Sequence, residues 1–529
     1  MKENWRVQYW GLLNQPWDMI IIGGGITGAG LFRRAVSGGL RTLLVDAQDF
    51  SSGTSSRSSK LVHGGFRYLK NKQWDITRES VREREWLLRK APELVTKLSF
   101  VLPYSAKKGM RSQFALGVSI YDAMAPKWEH RELSRQATLR LVPQMESEWL
   151  KGAFHYYDAA VDDSMLVNRL IRESVTDGGL ALNYTRAIQL LKRGDGQVCG
   201  VSVEDMSGQG LGSLELQAKT VVNATGPWSD RLRRQVGAED RIRPLRGSHL
   251  IFEHESLPIS QAITIMHPKD QRAMFAIPWE GTTIVGTTDL DHHGSLDEEE
   301  PYCSEEETSY ILEAANANFP RLHLSQEQVI SSFAGVRPII HGGADNPSGE
   351  SRRHAVWDEN GLISVTGGKL TIFRVMAEDA MKIAAKKTWK DIKPISQWFA
   401  PLPYLETATM IDESTYNHLS GRYGQDLAAI VADGKPEDFE HIANLPNIWA
   451  ELRFAAQSGY VEHLDDLLLR RVRLGMLLPD GAAAEMARIQ NLVQTELGWD
   501  EARWNSETER YNTIYESFYS PNPKGTLKG

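Results

Sequence analysis

Cysteine is nearly missing. Cys199 and Cys303 are the only two in 529 residues, and their spacing builds neither a metal site nor a redox pair. Two free thiols in a reducing compartment are expected, and a resident metal is not. No apolar run approaches the length of a bilayer-spanning helix, and the N-terminus lacks the charged-then-apolar order of a secretory signal. A cytoplasmic protein is expected, meeting a membrane from one side if at all. Basic excess is absent as well: 60 Lys and Arg stand against 68 Asp and Glu, a net charge of −8, which offers nucleic acid no footing.

What is present is ordinary in bulk and specific in detail. With 41% hydrophobic and 24% charged residues, the chain can bury a large core and divide into two or three domains. Met19-Ile20-Ile21-Ile22 reads as a parallel strand buried on both faces, and Gly23-Gly24-Gly25-Ile26-Thr27-Gly28 follows it directly. That is G-x-G-x-x-G between a strand and a helix: Gly23 for the tight turn, Gly25 for close approach of a pyrophosphate, Gly28 for helix–strand packing. Ile26 and Thr27 open the helix whose unpaired amides receive the phosphates. A second strand, Thr42–Val45, ends in Asp46, placed to bind a ribose hydroxyl. Together they point to a bound dinucleotide.

Elsewhere the pattern is coarser. Residues 4–13 read as a short amphipathic helix, and Ile76 to Leu98 as one long surface helix. Lys107 to Arg135 mixes Lys107, Lys108, Arg111, Lys127 and Arg131 with apolar residues, which suits an anionic membrane surface or a core helix with a solvated rim. Asp297–Glu300 and Glu305–Glu307 read as solvated loop and helix-start surface. One of Asp162, Asp163 and Ser164 should cap the helix that follows. Thr220–Gly226, Ile284–Asp289 and Leu362–Lys369 are strands ending in Gly and Thr, as expected where several segments run toward one ligand. Arg243 to Ile277 suggests an antiparallel sheet, the chain beyond Lys387 a separate helical domain, and Tyr519 to Gly529 a loose tail.

Hydroxyls and cations gather beside the glycine-rich endings. Ser55, Ser56, Ser59 and Lys60 follow the ribose acid, then His63, Arg67 and Tyr68; further on come Arg337, the Arg352–Arg353 pair and Gly367-Gly368-Lys369-Leu370-Thr371. A guanidinium grips carboxylate or phosphate through paired bonds and a lysine adds a point charge, so their convergence implies an anionic substrate.

The strings SSKLVHGGFRYL, YYDAAVDDSMLV, ATGPWSD, GTTD, FAGVRP, TGGKLT and GYVEHLDDLLLRRVRLG resemble those of the quinone-linked, FAD-dependent glycerol-3-phosphate dehydrogenases, from about Asp18 to about Leu478. The resemblance implies an α/β fold: a glutathione-reductase-type FAD-binding domain (residues 18–105, 151–240 and 335–387), an antiparallel-sheet substrate domain (106–150 and 241–334), an N-terminal helix (1–17) and a C-terminal helical cap (388–529). It implies FAD as cofactor, held through Gly23, Gly25, Ile26, Thr27, Gly28, Asp46, Ser55, Ser56, Ser59, Ala224, Thr225, Gly226, Gly368, Lys369, Leu370 and Thr371. It further implies oxidation of sn-glycerol 3-phosphate to dihydroxyacetone phosphate, with electrons passed to quinone at the inner face of the cell membrane; homodimerisation stays open. Carried over by position, the active-site histidine falls on His63, the catalytic cations on Arg337 and Lys369, and substrate binding on Arg67, Tyr68, Arg352, Arg337 and Lys369. Arg353 competes with Arg352 for register. Arg57 departs from the family pattern, where a small residue is common, and either tunes the flavin or faces solvent. An oxidase using oxygen, an amine oxidase and a non-catalytic flavin-binding protein remain alternatives.

Overall fold

Strand β1 (Trp17–Ile22) has all six residues buried, and its alternate side chains enter different cores. Met19 and Ile21 pack beneath helix α2 (Ile26–Ser37) and the helices Asp163–Thr176 and Phe373–Thr388, while Ile20 and Ile22 face the opposite layer. A strand covered on both sides has no reason to alternate polar residues, hence its unbroken apolar run. The computed structural model describes residues 5–65, 73–125, 127–296, 300–343, 350, 352–388, 392–395, 397–403 and 411–526.

Around β1 the parallel sheet runs β7 (Leu180–Leu182), β2 (Thr42–Val45), β1, β10 (Ser213–Asn223) and β18 (Leu362–Gly367), with β17 (His354–Glu359) antiparallel at the edge. The hairpin β8 (Thr185–Lys192) and β9 (Val198–Asp205) extends from β10. Helix α1 (Trp5–Gly11) packs on this side, its Arg6 fully buried against Asp205, Asn183 and the Tyr184 carbonyl.

A second sheet, antiparallel except for one pairing, runs β3 (Leu61–Val62), β6 (Gly152–Val161), β4 (Val95–Tyr104), β12 (Ala262–Met266), β13 (Ala273–Trp279), β14 (Thr282–Gly286), β11 (Ile242–Glu253) and β15 (Leu290–Asp291). Strand β16 (Val329–Ile340) pairs with β11, and β5 (Arg131–Ser134) with β6. Strands β3, β4 and β6 thus belong to the second sheet although their residues fall in segments expected around the FAD. The sheet boundary follows hydrogen bonding and not chain order.

Four local expectations need correction. The helix expected over Ile76–Leu98 is Trp74–Lys90, after which Pro92 interrupts it and the alternating Val95–Tyr104 becomes β4. Nor is that helix solvated throughout: Glu83, Arg84 and Glu85 are buried, with Arg84 paired to Asp158 at 2.6 Å. Of the acidic runs, Glu307 is buried, completes the capping box with Ser304, and accepts hydrogen bonds from Ser248 and Thr288. The C-terminal tail is not loose up to Thr526: Tyr519 is buried, and Ser332 donates to the carbonyls of Tyr519 (2.7 Å) and Ser520 (2.8 Å). Aromatic area and two bonds to β16 outweigh its polar composition. Asp162 is the cap of the helix Asp163–Thr176, accepting from the Met165 amide.

Residues 411–526 are helical apart from turns and one isolated bridge, as expected for the cap. It locks onto the dinucleotide side through Asp49. The buried Asp49 carboxylate accepts both Arg471 ends (2.6 and 2.8 Å) and Arg470 Nε (2.5 Å), while Asp163 binds Arg473 and Lys60. Burial pushes the Asp49 carboxyl up, but Arg471 and Arg470 outweigh it and hold it below the usual carboxylate range. Removing one partner of a buried ion pair strands the other. Asp49→Ala is therefore expected to lower the unfolding free energy in urea by about 3–5 kcal/mol. An unchanged midpoint would show that Asp465 and Asp466 alone satisfy the cap arginines.

Candidate active site

Steric limits shape the glycine turn. Gly23 has φ +110°, and a Cβ there would lie 2.5 Å from the Ala224 carbonyl oxygen; one on Gly28 would lie 1.8 Å from the Gly23 oxygen. Strand end, helix and β10 can close up only around bare backbone. Helix α2 starts after Gly25 with no side-chain cap and no acid in its first turn, so its amide end and positive dipole are available to an anion. Ser55 Oγ accepts the Ile26 amide at 2.9 Å, which leaves the hydroxyl proton to donate onward. At the end of β2, Asp46 accepts the amides of Gly24 (2.6 Å) and Gln48 (2.9 Å). Burial pushes its carboxyl up to about 7 against the pull of those two amides.

One cavity runs from this turn to the second sheet. Its wall includes Gly23, Gly25, Ile26, Thr27, Asp46, Ser55, Ser59, Ala224, Thr225 and Gly226, together with His63, Arg337, Arg352, Gly368, Lys369, Leu370 and Thr371. Gly28 lies behind the turn, in its packing role. Ser56 is not on the wall: the short 3-10 turn Thr54–Ser56 carries its carbonyl away to accept Lys60 Nζ at 2.5 Å. Arg67 and Tyr68 lie outside the described residues.

His63, half-buried after β3, sets its ring edge-on to Phe275 at 6.5 Å. Arg337, on β16, donates to Asp289 Oδ1 and Thr287 Oγ1, both at 2.9 Å. Arg352 is 6% exposed, lines the cavity and reaches Asp289, whereas Arg353 is exposed and pairs with Asp75. Arg57 does not face solvent either. It is buried on the cavity wall, paired to Glu300 at 2.6 Å, with its guanidinium 5.3 Å from the Tyr519 ring centre.

Three features were not read from the sequence. Arg272, just before β13, lines the cavity and also reaches Asp289, at 3.5 Å. Asp289 itself closes the GTTD string, where it stood as one strand ending among several. His249 lies buried, Nε2 at 2.8 Å from Ser59 Oγ and its ring stacked 4.6 Å from Phe333. Burial, then Arg337 and Lys60, hold it well below the usual histidine range, which favours the neutral imidazole.

The bare turn, uncapped helix start, ribose-position carboxylate and surrounding hydroxyls fit the pyrophosphate and ribose of a dinucleotide, and the cavity continues past them to a cationic end. Fold and site define a dinucleotide-binding oxidoreductase. Comparison makes the class specific: residues 18–374 match the FAD dependent oxidoreductase family, and residues 379–504 match the C-terminal domain of alpha-glycerophosphate oxidase. The chain is 33% identical over 491 residues, 87% of each sequence, to the aerobic glycerol-3-phosphate dehydrogenase of Staphylococcus aureus. Its fold matches the glycerol-3-phosphate dehydrogenase from Bacillus halodurans complexed with FAD, at 27% identity, 99% coverage of both chains and TM-score 0.78. It also shares the fold of the FAD-bound L-alpha-glycerophosphate oxidase of Mycoplasma pneumoniae (18% identity, 74% of this chain and 100% of that one, TM-score 0.59). The protein belongs to the glycerol-3-phosphate dehydrogenase and oxidase family of FAD-dependent enzymes, and its cofactor is FAD.

The Asp46 carboxyl makes a pH-dependent prediction. A native value near 7, above the ordinary 3.8, means that protonation favours the folded state; that stabilisation is lost as pH rises through the native value. In the FAD-free protein, wild-type stability relative to Asp46→Asn is expected to fall from about pH 5 to about pH 7.5. Thermal midpoints of both proteins across that range test it, and a flat difference would return the carboxyl to its ordinary value.

Proposed function

We propose that this protein oxidises sn-glycerol 3-phosphate to dihydroxyacetone phosphate and delivers the electrons to membrane quinone. One observation carries the reading: Arg272, Arg337, Arg352 and Lys369 line the same cavity as His63 and the dinucleotide turn. A phosphate monoester carries about −1.5 to −2 charge at neutral pH, and guanidiniums match its oxygens in pairs.

FAD, when bound, supplies the two-electron acceptor. The residues of this chain do the rest. Arg272 and Arg352 hold the phosphate, with Arg67 and Tyr68 assigned beside them by position. Arg337 and Lys369 favour the negative charge that develops on the C2 oxygen as its proton leaves. His63 takes that proton, an imidazole being suited to exchange near neutral pH. Ser55, Ser59 and the amides of α2 orient the cofactor. A neutral polyol lacks the group that the cations hold, so glycerol itself is expected to be a poor substrate.

The reading also includes peripheral attachment at the inner face of the cell membrane. Among the described residues no helix is long and apolar enough to cross a membrane. The helix Met110–Met124 supports a peripheral contact: Leu116 is 63% exposed on it, Trp128 just beyond is 70% exposed, and Lys107 and Lys108 stand exposed at its start. Arg111 and Lys127 are already paired, with Glu132 and Glu85.

Anaerobic mixing of the FAD-loaded protein with sn-glycerol 3-phosphate is expected to bleach the oxidised flavin absorbance. No bleaching would refute the substrate. His63→Ala should retain FAD and slow the bleaching roughly 10²–10⁴-fold, and an unchanged rate would remove His63 as base.

The family's oxidase members, whose C-terminal domain matches residues 379–504, supply the second reading, transfer to oxygen. Reoxidation separates the two. The reduced protein is expected to transfer electrons faster to quinone in anionic vesicles than to dissolved oxygen; faster oxygen consumption with peroxide release would select the oxidase.

A further inference from the structure

Four stretches far apart in sequence meet at one carboxylate. Asp289, its side chain wholly buried, lies after β14. Its Oδ1 receives Arg337 Nη1 from β16 at 2.9 Å and Arg352 Nη2, from the segment before β17, at 3.3 Å. Its Oδ2 lies 3.5 Å from Arg272 Nη2, from the segment before β13. All three arginines line the cavity, and Asp289 does not. We infer that Asp289 is the positioning residue of the anion site, gathering Arg272, Arg337 and Arg352 into one cradle, and that Arg272 is the third arginine of that cradle.

Three guanidiniums repel one another, and an anion bridging them has to be in place before the substrate arrives if the site is to be preorganised. One buried carboxylate against three cations leaves an excess of positive charge facing the cavity, which favours an anionic ligand. Each guanidinium has five N–H donors in a rigid fork, so binding Asp289 leaves others for a ligand. Arg352 shows this directly: it is 6% exposed, Nη2 serves Asp289, and Nη1 is buried without a hydrogen-bond partner among the described residues. A buried donor of that kind is destabilising until an acceptor reaches it.

The three arms are not equally dependent on the carboxylate. Arg337 has a second hold, Thr287 Oγ1 at 2.9 Å, and is walled by the bare backbone of Gly247, where a Cβ would lie 2.1 Å from Nη2. Loss of Asp289 therefore disturbs Arg272 and Arg352 more than Arg337. The consequence is weakened anion binding more than slowed chemistry.

This inference deepens the proposed function and rests on its anionic substrate, so the test uses inorganic phosphate as well as turnover. Phosphate is titrated into FAD-loaded wild type, Asp289→Asn and Asp289→Glu, with the flavin absorbance difference as the signal; FAD content and thermal midpoint are recorded for each. Asp289→Asn is expected to raise the phosphate Kd roughly tenfold or more, with partial recovery in Asp289→Glu, and to raise KM for sn-glycerol 3-phosphate more than it lowers the limiting rate of flavin reduction. An unchanged or tighter phosphate Kd in Asp289→Asn would overturn the inference, because a mere counter-charge would strengthen anion binding when removed. Should Asp289→Asn lose FAD or fail to fold, Arg272→Gln decides: a raised phosphate Kd at full FAD content supports the cradle, and an unchanged one overturns it. Wild type without saturable phosphate binding also overturns it. Weakened phosphate binding in a protein that leaves sn-glycerol 3-phosphate unoxidised would sink the proposed substrate and keep the cradle.

Discussion

The Asp49 carboxylate is the point on which the assembly closes. It lies three residues beyond the ribose-position Asp46, on the loop after β2, and receives Arg470 and Arg471 from the cap. Its Oδ1 also accepts Asn183, whose amide oxygen meets Arg6 of α1; Arg470 continues to Asp465 and Asp466, and Asp466 accepts the Tyr184 hydroxyl at 2.6 Å. The N-terminal helix, the loop beside the cofactor, the link between β7 and β8 and the cap are thus joined by one connected set of buried polar and charged groups. Desolvating so many ions is favourable only when every member is satisfied, so the network specifies a single arrangement of parts more than it adds net stability. A cap displaced by an ångström would leave several charges stranded at once. The dinucleotide loop is held from behind by that requirement.

How much of this could be read from the chain depended on range. The glycine turn, β1, β2 and Asp46 were legible because strand, turn and acid follow one another within thirty residues, each constrained by its neighbour. The helical cap was legible from composition, though the string Tyr460 to Arg471 gave no hint that its arginines reach Asp49. The stretch Ile76–Leu98 was misread because Glu, Arg and Leu carry a helical pattern up to Lys90, and Leu94 and Leu98 prolong its spacing through the strand that follows Pro92. The tail was misread because Pro, Gly and Ser content outweighs one buried aromatic in any local reading, yet Tyr519 seats that segment beside Arg57. Asp289 and Arg272 were illegible in principle: an acid and a base seventeen positions apart acquire a relation only when β13 and β14 form a hairpin and β16 crosses nearby.

Arg57 shows how a buried cation on the cavity wall can be compensated. A cation beside the flavin region would alter any negative charge developing there, and its effect depends on whether it is compensated. Here Glu300 and the Tyr519 face supply the compensation. Glu300 came from an acidic run read as solvated, and Tyr519 from the tail read as loose. The cation and both of its partners therefore lie outside what the motifs capture. This chain holds Arg57 by recruiting its own C-terminal segment.

Glycine does a second kind of work beyond the phosphate turn. In the antiparallel sheet, Gly247 of β11 stands opposite Gly335 of β16, and opposed residues share a face. A Cβ on Gly247 would meet Arg337 Nη2 at 2.1 Å, and one on Gly335 would meet the Arg57 carbonyl at 2.7 Å. The bare pair lets the Arg337 guanidinium lie against the sheet and the Arg57 loop settle on it. The same device recurs two pairs along: His249 of β11 faces Gly286 of β14, where a Cβ would lie 2.4 Å from the imidazole, and faces Phe333 of β16, on which it stacks. With no side chain at Gly286 the ring can lie flat and present Nε2 to Ser59. Pocket shape on this side is thus set by absent side chains as much as by present ones. That is why glycines in β11, β14 and β16, unremarkable as turn formers, govern where the cations and the serine of the site come to rest.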